Sequence, residues 1–435
     1  RQKHPRCVER NLTNHKSTCS CTHRRTRWRY PSIGGFECSN SKRHRMETSY
    51  LSGEWNTASN RGRSEPNVSV MELLWLTGRS MSDLCSCTQR ALIDGLLQND
   101  VRITYVNSDA SVDIENKAFT HVGLTHRARL GLKARTLGKL MAFWLSSTNV
   151  SERTVALVEW RVAQHVVPVL LDKGIPWALM DRSPPADPGL LGRLQWRSWS
   201  QAWKLAKRAG VPGLVVSAAH QAFVAQKTGH EHTTVIQAGV NLNRFKPAEK
   251  RPTFTMVYHG RLDRHRGLLA CVMLAQKARN EGLEVDAMFV GEGDLLPTLQ
   301  RLADGNAFIH VRTTMEQEML ASLLGTCHLG LLPMPKRTAW MLASPLKRSE
   351  FLASGLPVFG IDHQGHRLAG VDSAWFTLAA QEDFHADGLE VLRRHMDANG
   401  QHSAAARAYA ETNLGWSISV DALMRVLKDL NQSES

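Results

Sequence analysis

The chain has 435 residues, of which 42% are hydrophobic and 22% are charged, as in ordinary globular proteins. This length exceeds what one hydrophobic core usually serves, so we expect two domains. No segment reaches the ~18 consecutive apolar residues that a membrane-spanning helix needs, and the first residues lack the apolar stretch of a signal peptide. Composition therefore predicts a cytoplasmic protein without a membrane-spanning helix.

The net charge of +14 is concentrated at the beginning of the chain. Residues 1–65 contain 14 Lys and Arg against 5 Asp and Glu, a net of +9 that leaves +5 for the rest. Because strongly basic segments bind nucleic acids, one alternative is a non-catalytic, nucleic-acid-binding protein that uses this arm. We expect no nucleic-acid contact from residues 71–435.

Residues 1–70 show neither a helical nor a strand-like apolar period and are predicted to be a disordered basic extension. They hold four cysteines, but the C-x11-C-x-C-x16-C spacing differs from the C-x2–4-C pairs of usual zinc sites. We therefore predict no metal site. The chain begins with Arg, and Met71 directly precedes the first convincing strand. Our hypothesis is that residues 1–70 are upstream sequence or a tail outside the working fold.

From Met71 onward, short apolar runs alternate with segments of helical period. In the first series, strands are predicted at 71–77, 101–106, 154–159, 176–180, 213–217 and 234–236, and helices at 81–97, 137–146, 161–173, 189–209 and 219–228. Such alternation is typical of crossover units on a parallel sheet that is buried on both faces. We therefore predict an N-terminal Rossmann-like domain at 71–247, with a proline-containing linker at 246–252.

A second series of the same kind follows the linker. Its strands are predicted at 254–258, 285–290, 307–311, 328–332 and 357–361, and its helices at 267–281, 295–304, 315–325, 345–354, 383–397 and 402–431. This series predicts a C-terminal Rossmann-like domain at 253–412 and a C-terminal helix at 413–431. The predicted fold class is α/β, with two doubly wound domains facing a central cleft, where open α/β sheets bind ligands.

Two segments of the second series place glycines and charged side chains where an anion can bind. Gly260 permits a close turn after the first strand, and Arg261 and Arg266 follow at a spacing that can bring both guanidiniums to a pyrophosphate. Ser344 and Pro345 are typical of a helix start, as N-cap and first helical residue. A cation in the first helical turn, as at position 347, opposes the helix dipole and so indicates a negative ligand nearby.

Three stretches follow the order and separations of a known family: 259–267 (HGRLDRHRG), 290–294 (VGEGD) and 344–360 (SPLKRSEFLASGLPVFG). Together they resemble the GT-B retaining glycosyltransferases of the large family four. The stretch 234–247 (TVIQAGVNLNRFKP) is similar to the interdomain signature of that family. The resemblance implies the GT-B fold and transfer of a sugar from a nucleotide-diphosphate-sugar donor to an acceptor hydroxyl, with retention at the anomeric carbon.

The resemblance also implies roles for single residues. The catalytic group comprises Arg261 at the diphosphate, Arg266 where lysine is usual, Lys347 at the diphosphate and Glu350 at the ribose. Relatives often have an earlier glutamate that contacts the donor sugar, and Leu342 stands there in this chain. The other implied donor-binding positions are Gly78, Gly260, Gly291, Glu292, Gly293, Val311, Ser344 and Pro345.

On this interpretation, residues 253–412 bind the nucleotide-sugar donor and residues 71–247 bind a glycan, lipid-linked or small-molecule acceptor. No cofactor or metal is required, because positive side chains can replace a divalent ion. Asp181, Arg182 and His165 are candidates for activating the acceptor hydroxyl.

Two questions stay open at this point. The Trp- and Arg-rich residues 193–208 are predicted to form a packed amphipathic helix, with peripheral contact at the inner membrane face as the alternative. Another enzyme with the GT-B fold, such as a nucleotide-sugar epimerase, is the alternative to a glycosyltransferase.

Overall fold

A computed structural model describes residues 70–82, 86–129, 131–185, 189–398 and 400–432. The predicted basic extension and its cysteines lie outside the described residues, apart from Val70. No helix in the described ranges is long and apolar enough to cross a membrane.

The N-terminal half is built on a parallel sheet with the order β3-β2-β1-β4-β5-β6-β7. Its central strands are runs of buried apolar residues, as expected for a sheet that helices cover on both faces. The strands are β1 (Glu72–Leu76), β2 (Arg102–Asn107), β3 (Phe119–Gly123), β4 (Thr154–Glu159), β5 (Trp177–Met180), β6 (Gly213–Val215) and β7 (Thr233–Val235).

The C-terminal half repeats this arrangement with the order β10-β9-β8-β11-β12-β13, also parallel. In each half the strand order reverses beside the first strand, and this switch point opens a crevice at the strand carboxyl ends. The strands are β8 (Phe254–His259), β9 (Val285–Val290), β10 (Ile309–Arg312), β11 (Leu329–Leu332), β12 (Val358–Ile361) and β13 (Phe376–Ala379).

Helices cover both faces of each sheet. In the N-terminal half they are α1 (Cys87–Leu97), α2 (Lys133–Ser147), α3 (Trp160–Asp172), α4 (Gly189–Ala209) and α5 (Ala218–Thr228). In the C-terminal half they are α6 (Leu268–Asn280), α7 (Leu296–Asp304), α8 (Gln317–Thr326), α9 (Thr338–Met341), α10 (Leu346–Ala353), α11 (Phe384–Asp397), α12 (Gln401–Asn413) and α13 (Trp416–Gln432). This architecture confirms the predicted α/β class with two doubly wound sheets.

Alternate residues of the N-terminal strands point to two different cores. Leu74 and Leu76 of β1 join a core with α2, α3 and α4, whereas Leu73 and Trp75 join a second core with α1 and α13. The last helix of the chain therefore packs on the first sheet. Its apolar side chains, such as Leu423 and Leu427, fill that second core.

Three features of the fold differ from the sequence predictions. The two edge strands β3 and β13 were not predicted, because their residues are only partly buried and lack a continuous apolar run. The predicted single helix at 402–431 is two helices, α12 and α13, which separate at Leu414 and Gly415. Trp416 thus begins the last helix instead of lying inside one.

Candidate functional site

Two glycine-containing loops meet at the carboxyl ends of β8 and β9. Gly260 has φ of 106° and Gly291 has φ of 141°, a backbone region that side chains strongly disfavour. A Cβ atom on Gly291 would lie 1.9 Å from the Gly260 carbonyl oxygen, and one on Gly293 would lie 2.3 Å from the Leu262 carbonyl oxygen. Only glycine allows this approach, so the predicted Gly260, Gly291 and Gly293 lie together.

Backbone hydrogen bonds tie these loops into one surface. The Gly260 N–H donates to the Val290 carbonyl at 2.9 Å, and the Leu262 N–H donates to the Glu292 carbonyl at 2.8 Å. Glu292 therefore joins the two loops through its backbone carbonyl, and the residue is exposed to solvent. The Gly291 N–H donates to the Arg312 carbonyl at 2.9 Å, which places the end of β10 and the predicted Val311 next to the same loops.

Arg261 and Arg266 converge on one carboxylate, Asp263. Nη2 of Arg261 donates to Oδ1 at 2.9 Å, and Nε of Arg266 donates to Oδ2 at 3.2 Å. Burial works to raise the pKa of Asp263, but hydrogen bonds and charge from the two arginines outweigh it and hold that pKa below its ordinary value. The Arg261 side chain remains 47% exposed, so part of its guanidinium faces solvent.

Lys347 brings a third cation to this surface. Its Nζ lies 5.1 Å from the centre of the Tyr258 ring and close to Gly260, where an added Cβ atom would be 3.5 Å away. The Tyr258 hydroxyl donates to the Arg261 carbonyl at 3.0 Å, and burial raises the pKa of this tyrosine to about 12. Tyr258 is therefore a neutral platform between Lys347 and the arginine pair.

An aromatic side chain from α9 closes one side of the cluster. The Trp340 ring stacks on His265 at 5.5 Å with an interplanar angle of 4°, and the Arg266 guanidinium lies 5.8 Å from its centre. Sequence reasoning missed Trp340, because α9 is a single short turn far from the glycine loops in sequence.

The start of α10 differs by one residue from the sequence prediction. The helix begins at Leu346, and Pro345 is its N-cap residue instead of its first helical residue. The Ser344 hydroxyl accepts a hydrogen bond from the Ala238 N–H at 3.0 Å. This bond joins the loop before α10 to the segment after β7, and Ser344 does not cap α10. The prediction of Ser344 as N-cap is wrong because a tertiary partner takes its hydroxyl.

Neighbouring cations on α10 have different surroundings. Arg348 is buried, and its Nη1 donates to the carbonyls of Gly365, His366 and Arg367 at 3.2, 3.0 and 2.8 Å. This arginine therefore holds the loop after β12. Lys347, one residue earlier, is the α10 cation that lies beside Gly260.

Glu350 lies one turn further along α10 and is buried beside His259, the last residue of β8. Its Oε2 is 3.1 Å from Nε2 of His259, whose ring packs edge-on against Phe351 at a centroid distance of 5.2 Å. Glu350 also lines a cavity of about 790 Å³ whose walls include α1 residues such as Arg90 and Asp94. Both halves therefore contribute to the space around Glu350.

Gly78 occupies the matching position at the end of β1 in the N-terminal half. Its N–H donates to Oε2 of Glu159 at 2.8 Å, and the Thr77 hydroxyl donates to the same oxygen at 3.0 Å. Glu159 is 1% exposed and also pairs with Arg79 at 3.0 Å and with Arg161. Burial works to raise its pKa, but both arginines and the hydrogen bonds lower it to about 2.

The candidates for activating an acceptor behave differently in the fold. Asp181 is completely buried and accepts hydrogen bonds from the indole N–H groups of Trp199 and Trp203. This contact makes Asp181 a packing partner of α4 and explains why those tryptophans face inward, as predicted for an amphipathic helix. His165 lies partly buried on α3, and burial lowers its pKa, with a further contribution from Arg135 and Lys139.

Metal ligands do not cluster in the part of the chain that is described. No group of three or more His, Cys, Asp or Glu side chains there is arranged to hold an ion. The three cations Arg261, Arg266 and Lys347 share their surface with the carboxylate of Asp263, which pairs with both arginines.

No family model and no curated protein matches this chain in sequence. The fold does match solved structures. Sucrose-phosphate synthase from Thermosynechococcus elongatus superposes with a TM-score of 0.66 and 13% identity, covering 83% of this chain and 100% of that one. A glycosyltransferase from Rickettsia africae superposes with a TM-score of 0.66 and 12% identity, covering 84% of this chain and 99% of that one. Anabaena HepE, in complex with UDP and glucose, superposes with a TM-score of 0.62 and 13% identity, covering 82% of this chain and 100% of that one. The chain has the GT-B fold of these structures, as predicted.

Proposed function

We propose that this protein transfers a sugar from a nucleotide-diphosphate-sugar donor to an acceptor hydroxyl, with retention at the anomeric carbon. One observation carries the proposal: Arg261, Arg266 and Lys347 converge beside the Gly260–Gly291 loops at the switch point of the second sheet. Open α/β sheets bind their ligands at this point, and the cluster there is cationic.

The chemistry of sugar transfer calls for such a cluster. Negative charge grows on the glycosidic oxygen as the nucleotide diphosphate departs, and fixed cations stabilise that charge most when they are already in place. Asp263 holds both guanidiniums before any ligand arrives, so little reorganisation is needed. The exposed part of Arg261 supplies donors to the diphosphate, and Lys347 adds a point charge from the other side of Tyr258.

The nucleoside end of the donor extends towards Glu350 and the end of β10. The Glu350 carboxylate can accept hydrogen bonds from ribose hydroxyls, and Nε2 of His259 lies 3.1 Å from its Oε2. Val311 lies on the strand whose end is bonded to Gly291, where backbone groups can meet the base. Uridine is the base we favour, because the similar HepE structures hold UDP, UDP with glucose, and UDP-glucose.

Retention follows in this scheme if the acceptor attacks from the face that the diphosphate leaves, with the leaving group accepting its proton. The acceptor is a glycan, a lipid-linked molecule or a small molecule held by the N-terminal half. No cofactor or metal is required in this scheme, since the three cations stand in for a divalent ion. The proposed location is the cytoplasm, with peripheral contact at the inner membrane face.

A thermal-shift screen tests the donor assignment. The full chain is heated with free nucleotides and with UDP-, GDP-, ADP- and dTDP-sugars, because a ligand that binds the folded state raises the melting temperature. We expect UDP and one or more UDP-sugars to raise it, and Arg261→Ala to remove most of that shift. No shift by any nucleotide at ~1 mM, which is the upper end of the usual range of KM values, contradicts the proposed site.

A product assay then separates sugar transfer from epimerisation. The donor found above is incubated with a panel of hydroxyl acceptors, and the products are separated and examined by NMR. A glycoside that forms only with acceptor, and whose anomeric configuration equals that of the donor, supports the proposal. An epimeric nucleotide sugar, or an epimerised free sugar together with nucleotide, that forms without any acceptor assigns an epimerase to the same fold instead.

A further inference from the structure

We infer that the outer surface of α2 and α4, together with the loop before α2, docks on an anionic lipid bilayer. This surface is called the α2/α4 face below, and its members are Arg127, Arg129, Leu132, Lys133, Arg135, Lys139, Phe143, Leu190, Arg193, Leu194, Arg197, Lys204, Lys207 and Arg208. It rests on the peripheral membrane contact proposed above and assigns that contact to one surface, and because it lies on the N-terminal half it can be tested separately from the proposed donor site.

The α2/α4 face has a one-sided charge. Helices α2 and α4 contain three and five basic residues, and neither contains an acidic one. The helices on the opposite face of the same sheet, α1 and α13, contain three basic and three acidic residues. Overall basicity does not explain this contrast, because both helix pairs belong to the same domain. A polyanionic surface is therefore the natural partner of one face only.

Exposed apolar side chains stand among these cations at helical spacing. On α2, Leu132 just before the helix, Arg135, Lys139 and Phe143 follow one another on one side, and Phe143 is 75% exposed. On α4, Leu190, Arg193, Leu194, Arg197 and Lys204 do the same, and Leu190 is 73% exposed. A stripe that mixes large apolar and basic side chains is typical of helices that lie in a bilayer interface.

The two stripes belong to one layer. Both helices pack on α3, and an added Cβ atom on Gly131, just before α2, would lie 3.1 Å from Leu191 of α4. Leu171 at the end of α3 is also exposed, at 56%. The tryptophans of α4 take no part in the contact, because Trp199 and Trp203 are buried against Asp181. Leucine and phenylalanine are therefore the groups that enter the lipid.

A bilayer fits these observations better than other occupants do. A second copy that packed through the same face would bring a like charge to it, and so would residues 1–65, with a net of +9. A nucleic acid would satisfy the cations but would leave the leucines and Phe143 in water. Anionic headgroups attract the cations, while the acyl boundary buries the apolar side chains.

Vesicle co-sedimentation of the full chain tests this inference. Phosphatidylcholine vesicles with and without phosphatidylglycerol are compared, and we expect binding only to the anionic ones, weakening as salt is added. Leu190→Ser/Leu194→Ser and Arg193→Gln/Arg197→Gln are each expected to lower the partition coefficient about tenfold. Residues 1–65 are common to every variant, so a difference between variants reports the α2/α4 face.

Two matched double variants serve as controls. Met273→Ser/Met319→Ser removes exposed apolar side chains from the C-terminal half, and Arg425→Gln/Lys428→Gln removes the same charge from α13 on the opposite face. Both are expected to bind vesicles like the wild-type protein. Equal loss in test and control variants, no loss in either test variant, or RNA binding that depends on Arg193 and Arg197 without vesicle binding overturns the inference. Nucleotide thermal shifts in the same variants report the donor site separately.

Discussion

The two halves of the molecule each hold a carboxylate between two arginines at the carboxyl end of a strand of the parallel sheet. In the N-terminal half, Glu159 pairs with Arg79 and Arg161, and the carboxylate is 1% exposed. In the C-terminal half, Asp263 pairs with Arg261 and Arg266, and its carboxylate is 11% exposed. The Arg261 side chain is 47% exposed, whereas Arg79 and Arg161 are 19% and 28% exposed. The cluster of Glu159, Arg79 and Arg161 is called the closed cluster below. The cluster of Asp263, Arg261 and Arg266 is called the open cluster, because its Arg261 is the most exposed of the four arginines.

Burial separates a structural ion cluster from a binding one. Glu159 spends its oxygens on Thr77, Gly78 and both arginines, so that cluster fixes the loop after β1. Asp263 orients both arginines, but the side chain of Arg261 still faces solvent and can meet a second anion. We therefore expect the open cluster to bind a ligand and the closed cluster to stabilise the fold.

Loss of an open-cluster arginine is expected to give the largest effect. Arg261→Ala should lower turnover about 10²- to 10³-fold, the usual consequence of removing one stabilising donor from a developing charge. Its melting temperature without nucleotide should stay near that of the wild-type protein. Steady-state kinetics with the donor found by thermal shift measures this.

Arg79→Ala is the matched control from the closed cluster. It should lower the free energy of unfolding and change turnover by less than about tenfold, which corresponds to ~1.4 kcal/mol in the activation barrier. Near wild-type turnover in Arg261→Ala, or an equal loss in both variants, contradicts the distinction between the two clusters.

Neutralising the buried carboxylate is expected to give the next largest effect. Glu159→Gln should lower the free energy of unfolding by about 3 kcal/mol, because it leaves two arginines around a neutral, buried amide. Asp263→Asn should lower it by less than about 1 kcal/mol, since that cluster is partly exposed to solvent. Urea unfolding of both variants tests the ranking, and a greater loss in Asp263→Asn reverses it.

The closed cluster also predicts a pH dependence of stability. The pKa of Glu159 is lowered from 4.5 to about 2, so its contribution is present above 4.5 and disappears as the pH falls towards 2. The difference in unfolding free energy between the wild-type protein and Glu159→Gln should therefore shrink across this window. A difference that stays constant down to pH 2 shows that the carboxylate keeps no lowered pKa.

The smallest expected effect concerns how the open cluster is organised. Asp263→Asn should weaken binding of the nucleotide diphosphate about three- to tenfold, because two charge-assisted hydrogen bonds no longer orient the arginines. Isothermal titration with the responding nucleotide measures the change. Tighter binding in this variant means that Asp263 competes with the ligand for the arginines instead of positioning them.

Local sequence patterns predicted much of this protein. Short apolar runs and helical periods predicted both series of central strands with their helices, because each run is buried on both faces within its own segment. Gly260 and Gly291 were predictable from their place after a strand, and their positive φ values agree with that reading. The roles of Arg261 and Lys347 stay predictions that depend on the family-like order of the motifs.

Tertiary structure decided the features that depend on distant partners. In the sequence Glu159 is only the end of an apolar strand, and its ion pair with Arg79 forms in the folded chain. Ser344 has the sequence context of a helix cap, but in the fold its hydroxyl accepts the Ala238 N–H. The edge strands β3 and β13 need a neighbour to form, and α13 finds its core on the first sheet, where it contacts β4 and β7 from the opposite end of the fold's sequence. Sequence periodicity records the burial of a segment, whereas the identity of the partner is set by packing across the chain.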